Sequence, residues 1–510
     1  MKRAISSKKK MSIINLVVNY SNTFFLILNG LVLVPIYFEY FSLSIYGSYL
    51  AAANIAGILG LLEFGLSLVF TQKLSVLYKN KNYGGFSKLM GAGLIASFIL
   101  VSILMILSFA ISPFVPEWVK ASPKDYLDIK HAFIINSLGI GLNIYSNTIT
   151  SIFQAWSRVQ ISGIINVASA FFGIIGTIVS LYFGFGVMSI SVGILIKSLV
   201  CVVSLLPFLI INYKKDNYPK FKIEINLIYG ILKDSLPVFG NTVSKSLIDN
   251  GQLLIITNFI NPTATAIYSL TSKVFQVCNN LLAPIGSSIF SSLSQLVGEN
   301  NSTHLKSNVL KIFSLFTLFS ILILATSFAL NNSFVIMWVG ADKYGGTLLS
   351  LMLCLNLFVS SRFSYINFNL FALGIFGKTV LFDQIGALMR LLLIFFLIKF
   401  LGVISIPVSE LIATIFSGFF LNRLFIRKMG FDNKEKNIVL FFGFFEFILL
   451  IILAIFYQNF FLMKEDWFRF LLHCLGIFLI ISTCLIYFNS DLFLNYLPRL
   501  AKIKNRIFKT

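Results

Sequence analysis

Charge is scarce in this chain: Asp, Glu, Lys and Arg together make up 12% of its 510 residues. Soluble domains carry about a quarter, so a fold wetted over its whole surface is excluded. Acidic residues are scarcer still, 19 against 40 Lys and Arg. The five cysteines, Cys201, Cys278, Cys354, Cys474 and Cys484, all lie in apolar segments without short pairing or ligand spacing, and His131, His304 and His473 are scattered. No metal site, disulfide framework or cofactor is expected. Long polar stretches are also missing. The longest one between apolar segments, Asn212 to Ser235, is too short for a domain. That weighs against membrane enzymes such as a glycan polymerase, which need room outside the bilayer for an acid, a base or a metal. Gly374 to Thr379 superficially resembles a phosphate-binding loop, but its first glycine would fall at Ala372 and no strand precedes it. It is expected to be a short turn, with no ATP hydrolysis.

What the chain has in excess is hydrocarbon: 57% apolar residues, 55 phenylalanines and a mean hydropathy of +0.89. This composition describes an all-α integral membrane protein. A helix crosses the hydrocarbon core with about 20 apolar residues. Segments of that kind fall at about 13–37, 44–70, 88–111, 130–153, 160–183, 187–211, 236–260, 265–293, 308–330, 347–371, 379–400, 403–422, 438–457 and 468–488. The first is too long for a signal peptide and lacks a small-residue cleavage site, so it reads as a span.

Basic residues cluster at Lys2 to Lys10, Lys73 to Lys88, Lys214 to Lys222, Arg423 to Lys436 and Arg499 to Lys509, all on one side of the alternating segments. The positive-inside rule makes that side cytoplasmic and places both termini there. The formal charge of +21 thus serves orientation in the cytoplasmic (inner) membrane. Nucleic acid as a partner is excluded, because that would need the cations gathered on one exposed face.

Three short motifs recur in register. Gly186-Val187-Met188-Ser189-Ile190 returns as Gly402-Val403-Ile404-Ser405-Ile406, Phe114-Val115-Pro116-Glu117-Trp118 as Phe334-Val335-Ile336-Met337-Trp338, and Ile45-Tyr46 as Ile267-Tyr268. Segments one to six therefore match seven to twelve. An even number of spans per copy gives a parallel repeat about an axis along the membrane normal. The expected organisation is an N-terminal six-helix lobe (1–211), a basic cytoplasmic linker (212–235), a second six-helix lobe (236–430), and two extra helices with a basic tail (431–510).

Ionisable groups inside spans are disfavoured by about 2.5–3.5 kcal/mol each on insertion scales, so they mark cavities or partners. Lys245 and Asp249 stand one turn apart on span seven, on one face. Lys273 opens span eight, roughly a third of the way in from outside, and Arg362 lies on span ten. Lysine and arginine suit phosphate oxygens. These four are the candidate substrate-binding residues. Glu63, Lys197, Asp383, Arg390 and Glu410 are candidates for ion coupling or structural pairs, Arg390 pairing with Asp383 or Glu410; Glu446 reads as a snorkelling side chain. Pro284, followed by Gly286, is the expected hinge of span eight.

Tyr46-Gly47, Leu61-Leu62-Glu63-Phe64-Gly65-Leu66-Ser67, Phe153-Gln154-Ala155-Trp156-Ser157-Arg158, Leu247-Ile248-Asp249-Asn250 and Ala266-Ile267-Tyr268-Ser269 with Lys273 resemble the multidrug/oligosaccharidyl-lipid/polysaccharide exporters, in particular polysaccharide flippases of the Wzx type. The resemblance runs over essentially the whole chain. It implies two lobes forming a V, a cavity lined chiefly by spans one, two, seven and eight, and alternating access. The implied ligand is an undecaprenyl-diphosphate-linked oligosaccharide bound for O-antigen, lipopolysaccharide or capsule, with Glu63, Lys245, Asp249 and Lys273 as cavity residues. Membrane lipids, a proton or sodium ion, and a glycan polymerase or other assembly protein are the partners it suggests. A cation-coupled multidrug exporter is the rival reading.

Overall fold

The computed structural model describes residues 30–63, 65–156, 158–215, 218–219, 224–298, 302–460 and 466–489. Within them the chain is helical, and no strand occurs among the described residues. Lipid leaves no alternative for an open chain, since helices satisfy their own backbone groups. The helices are α1 (Gly30–Tyr40, described from residue 30 onward), α2 (Leu43–Leu59), α3 (Leu66–Lys79), α4 (Tyr83–Ile111), α5 (Val115–Trp118), α6 (Tyr126–Ala155), α7 (Val159–Tyr182), α8 (Met188–Lys215), α9 (Ile225–Phe259), α10 (Pro262–Thr271), α11 (Lys273–Gly298), α12 (Ser302–Val339), α13 (Thr347–Ala372), α14 (Phe376–Leu401), α15 (Ser405–Met429), α16 (Asn433–Phe441), α17 (Phe444–Phe460) and α18 (Trp467–Phe488). Among the described residues, nine stretches are long and apolar enough to cross a membrane, one of them containing both α14 and α15. Each of the fourteen expected segments falls on a helix or a helix pair, although most of the first, and the basic clusters at both chain ends, lie outside the described residues.

Three expected spans are interrupted. Span two stops at Leu59, makes a 3-10 turn over Gly60–Glu63 and restarts as α3 after Gly65. Gly65 sits at φ 69°, a left-handed conformation that favours glycine. Span eight breaks at Ser272, between α10 and α11, and α11 runs on through Pro284. The helix is thus continuous at Pro284, as lipid-embedded helices are when neighbours re-satisfy the carbonyl that a proline frees. Span thirteen is split at Phe442 and Gly443 into α16 and α17.

Helix contacts divide the chain into two compact units, Met1–Ala266 and Ile267–Thr510. In the first, α8 packs along α6 and α7, α4 and α3 lie on α6, and α9 packs on α2, α3 and α4. Sequence repeat and contact unit thus part company at α9, which opens the second repeat yet packs with the first unit. Phe70, Phe86, Met90, Phe153, Trp156 and Leu205 form a buried core there. Trp156 donates its indole N–H to the Tyr218 hydroxyl at 2.9 Å, which fastens the start of the linker to this core. In the second unit α13 packs against α11, α12 and α15, α14 lies on α15, and α17 and α18 both pack on α12.

The sequence repeat has a local structural counterpart in each unit. Phe114 stacks on Trp118 at 6.1 Å and 20°, and Phe334 stacks on Trp338 at 5.4 Å and 24°. Both pairs precede a short 3-10 turn and then a long helix. Gly186 (φ 51°) and Gly402 (φ 55°) both take a positive φ just before their helices, and Tyr46 and Tyr268 are both buried.

Candidate functional site

The ionisable residues inside spans separate into a pinned set and a set without described partners. Arg362 on α13 belongs to the first. It is 4% exposed, donates to the main-chain oxygens of Val439 (3.1 Å) and Phe442, and lies 4.9 Å over the Phe313 ring and 4.7 Å over the Phe444 ring. Guanidinium tolerates such burial because its planar fork matches two carbonyls while aromatic faces cover the rest. Arg362, expected among the substrate-binding residues, thereby secures the α16–α17 turn.

Arg390 on α14 pairs with Glu410 on α15 at 2.9 Å. Both carboxylate oxygens of Asp383 accept from the Asn367 amide nitrogen, at 3.2 and 3.0 Å. Glu410 is one of the two acids expected to answer Arg390. Asn367 was missed in the sequence because an amide on another span carries no spacing signal.

Glu63 ends the 3-10 turn of span two, and its carboxylate accepts a hydrogen bond from the Ser67 hydroxyl across the break. Lys197 on α8 has its stem where α7 comes close: a Cβ added at Gly173 would stand 2.9 Å from that of Lys197. Among the described residues no carboxylate lies within ion-pair distance of Lys197.

The candidate binding residues sit on α9 and at the α10–α11 break. Lys245 and Asp249 occupy the middle of the 35-residue α9; their side chains lie outside the described residues. One residue on, Asn250 reaches α2, its Oδ1 within 3.1 Å of where a Cβ at Gly57 would stand. Both ends of α9 are fastened within the first unit. At the N-terminal end Asp234 pairs with Lys73 and Glu224 with Lys88 at 2.7 Å. At the other end Lys120 donates to the Asn258 carbonyl and Asn258 donates to that of Trp118 at 2.7 Å. Lys273 is the first residue of α11, directly after the break, and is half-buried. Among the described residues no carboxylate pairs with it. The residues around Gly374 (φ 77°) form the expected short turn between α13 and α14.

The fold is that of known membrane carriers. The lipid II flippase MurJ in an inward closed conformation matches with a TM-score of 0.68 at 17% identity, covering 94% of this chain and 99% of that one. An inward-facing multidrug resistance MATE family transporter of the MOP superfamily gives 0.67 at 14% identity, covering 82% and 98%. The MATE transporter VcmN from Vibrio cholerae, in its bent form, gives 0.58 at 14% identity, covering 85% and 99%. No curated protein shows a significant sequence match. Residues 61–344, more than half of the chain, match the polysaccharide biosynthesis protein family, and the chain belongs to that family.

Proposed function

We propose that the protein is a flippase that moves an undecaprenyl-diphosphate-linked oligosaccharide from the cytoplasmic to the outer leaflet of the cytoplasmic membrane by alternating access. The observation that carries this reading is the combination of a polysaccharide-biosynthesis family match with the MurJ fold over nearly the whole chain. Membership in that family favours a glycan-bearing cargo over a drug. The short connections between helices favour carriage over glycan polymerisation.

Taking a diphosphate through hydrocarbon uncompensated is opposed by tens of kcal/mol on a Born estimate. Basic side chains in a wet chamber reduce that barrier. In this reading Lys245 and Lys273 hold the diphosphate and the proximal sugar, while the polyprenyl tail stays in lipid. Asp249 neutralises Lys245 in the empty state and yields it to the cargo. The repeat halves 1–211 and 236–430 are the rocking lobes, both termini are cytoplasmic, and Glu63 or Asp249 takes a coupling proton or sodium ion. Delivery of the product to a polymerase or other assembly protein follows on the outer face.

Lys245→Gln and Lys273→Gln, each made in the full chain, should abolish surface glycan while leaving protein abundance in the membrane unchanged. Normal glycan in both variants removes these lysines from the mechanism. Altered drug susceptibility with normal glycan in a deletion strain would replace the flippase reading with the drug exporter, and altered polymer length alone would replace it with a polymerase.

A further inference from the structure

The break that presents Lys273 is not a loose joint. Thr271, the last residue of α10, is fully buried and held through two of its polar atoms. Its main-chain oxygen accepts from Asn331 Nδ2 at 3.2 Å, and its hydroxyl oxygen accepts the Gly345 N–H at 2.8 Å. The same Asn331 amide also donates to Ser350 Oγ at 2.9 Å, and that hydroxyl lies 3.0 Å from the Tyr344 hydroxyl. Asn331 and Ser350 are fully buried too. One residue further on, Ser272 donates to the Ser269 carbonyl at 3.1 Å and accepts from Gln276 Nε2 at 3.1 Å.

Two elements therefore converge on Thr271, α12 through Asn331 and the loop after it through Gly345. Helix α13 joins at one remove, its Ser350 bonded to Asn331 and to Tyr344. The loop lies too close for a larger residue at its point of contact: a Cβ at Gly345 would meet Leu349 at 2.6 Å and the Thr271 hydroxyl at 3.0 Å. Burial holds the Tyr344 phenol above its usual range, so it remains a hydroxyl within this network. A buried polar network in which each member fixes another specifies one geometry. The residue that inherits that geometry is Lys273, whose Cα is two positions from Thr271.

We propose that Thr271 and Asn331 are positioning residues for Lys273: they lock the α10–α11 break, which aims the ammonium at the anionic, diphosphate-bearing part of the cargo. This rests on the flippase reading for the identity of the cargo, but not for the aiming itself. A lysine stem is long and flexible, so a defined phosphate contact needs its root held still. Preorganisation of that kind appears in the concentration dependence of transport.

The test has two arms. In the first, Lys273→Cys is labelled with a membrane-impermeant charged maleimide, counted as the increment over the parent chain. Adding Thr271→Val, which keeps shape and removes the hydroxyl acceptor, should change the labelling rate roughly three- to tenfold, the range for one hydrogen bond. Thr271→Ser should restore it. An unchanged rate with Thr271→Val overturns the proposal whatever the cargo is. In the second arm, reconstituted full-length protein is assayed with an undecaprenyl-diphosphate oligosaccharide. Thr271→Val and Asn331→Leu should raise the half-saturating concentration by a similar factor at nearly unchanged maximal rate. Read as binding of the same lipid by the purified full-length protein, which needs no transport, the increase should vanish in a Lys273→Gln background. Effects that multiply independently of Lys273, or that lower only the maximal rate, overturn the positioning role. A shift in labelling together with no saturable transport of this lipid upholds the aiming and rejects the flippase reading.

Discussion

Arg362 shows how a residue can satisfy every sequence criterion for ligand binding and still serve the scaffold. A lone guanidinium in an apolar span signals function by default. What the sequence cannot display is a carbonyl freed by a turn eighty positions later. Phe442 and Val439 offer two such oxygens where α16 gives way to α17, and the rings of Phe313 and Phe444 close over the cation. Arg362→Lys should therefore fail to substitute, because an ammonium cannot span two carbonyls and stack between rings at once. Arg362→Met leaves those carbonyls unanswered, and destabilisation on the order of 3 kcal/mol is expected from unpaired buried groups of this kind. Thermal unfolding of the purified variants in detergent checks this, with the cargo dependence of the surviving fraction unchanged. Arg390 makes the opposite point. Its pairing with Glu410, one of the options open on spacing, follows from the packing of α14 on α15.

At the scale of the element, the helices were legible and their interruptions were not. Hydropathy locates apolar segments because the bilayer imposes a length, but a break at Gly60–Gly65 or at Ser272 leaves that length almost unaltered. Glu63 was visible as a charge in a span; that it ends a turn and takes a hydrogen bond from Ser67 belongs to the interruption. The Thr271–Asn331–Gly345 network was illegible for a related reason, since its partners are uncharged and far apart in sequence. Helix α9 raises a separate question, because it is fastened to the first unit at both ends. Its N-terminal ion pairs, Lys73 with Asp234 and Lys88 with Glu224, are between 38% and 51% exposed at each side chain. Pairs of that exposure contribute about 0–1 kcal/mol to stability. Asp234→Asn and Glu224→Gln should then leave the unfolding temperature within a degree or so of the parent, on that same scale. If the contacts must open during transport, the double variant will show altered transport and a flatter salt dependence, read in proteoliposomes between low and high ionic strength. Unaltered transport assigns the pairs to the solvated surface.

For the molecule as a whole, duplication was the most legible property, since stacked Phe–Trp pairs and glycines of positive φ recur where the sequence motifs do. The contacts of α9 were not foreseeable from it, because a repeat unit and a packing unit answer to different constraints. The consequence that concerns the entire carrier is electrical. If an anionic headgroup leaves the cytoplasmic leaflet alone, an inside-negative potential assists it by about 2.3 kcal/mol per charge per 100 mV. One net charge then corresponds to roughly a 50-fold bias of the steady-state leaflet distribution at 100 mV. Proteoliposomes clamped with potassium and valinomycin, loaded with the diphosphate lipid and probed for its outer-leaflet fraction, should show that bias and its reversal when the gradient is inverted. A distribution indifferent to the potential means that the translocated unit is neutral overall. Electroneutrality requires a cation to move with the cargo, or the loaded carrier to return protons through groups such as Glu63 or Asp249. Imposing a proton or sodium gradient at zero potential then discriminates between them, because only the coupled ion will restore the bias.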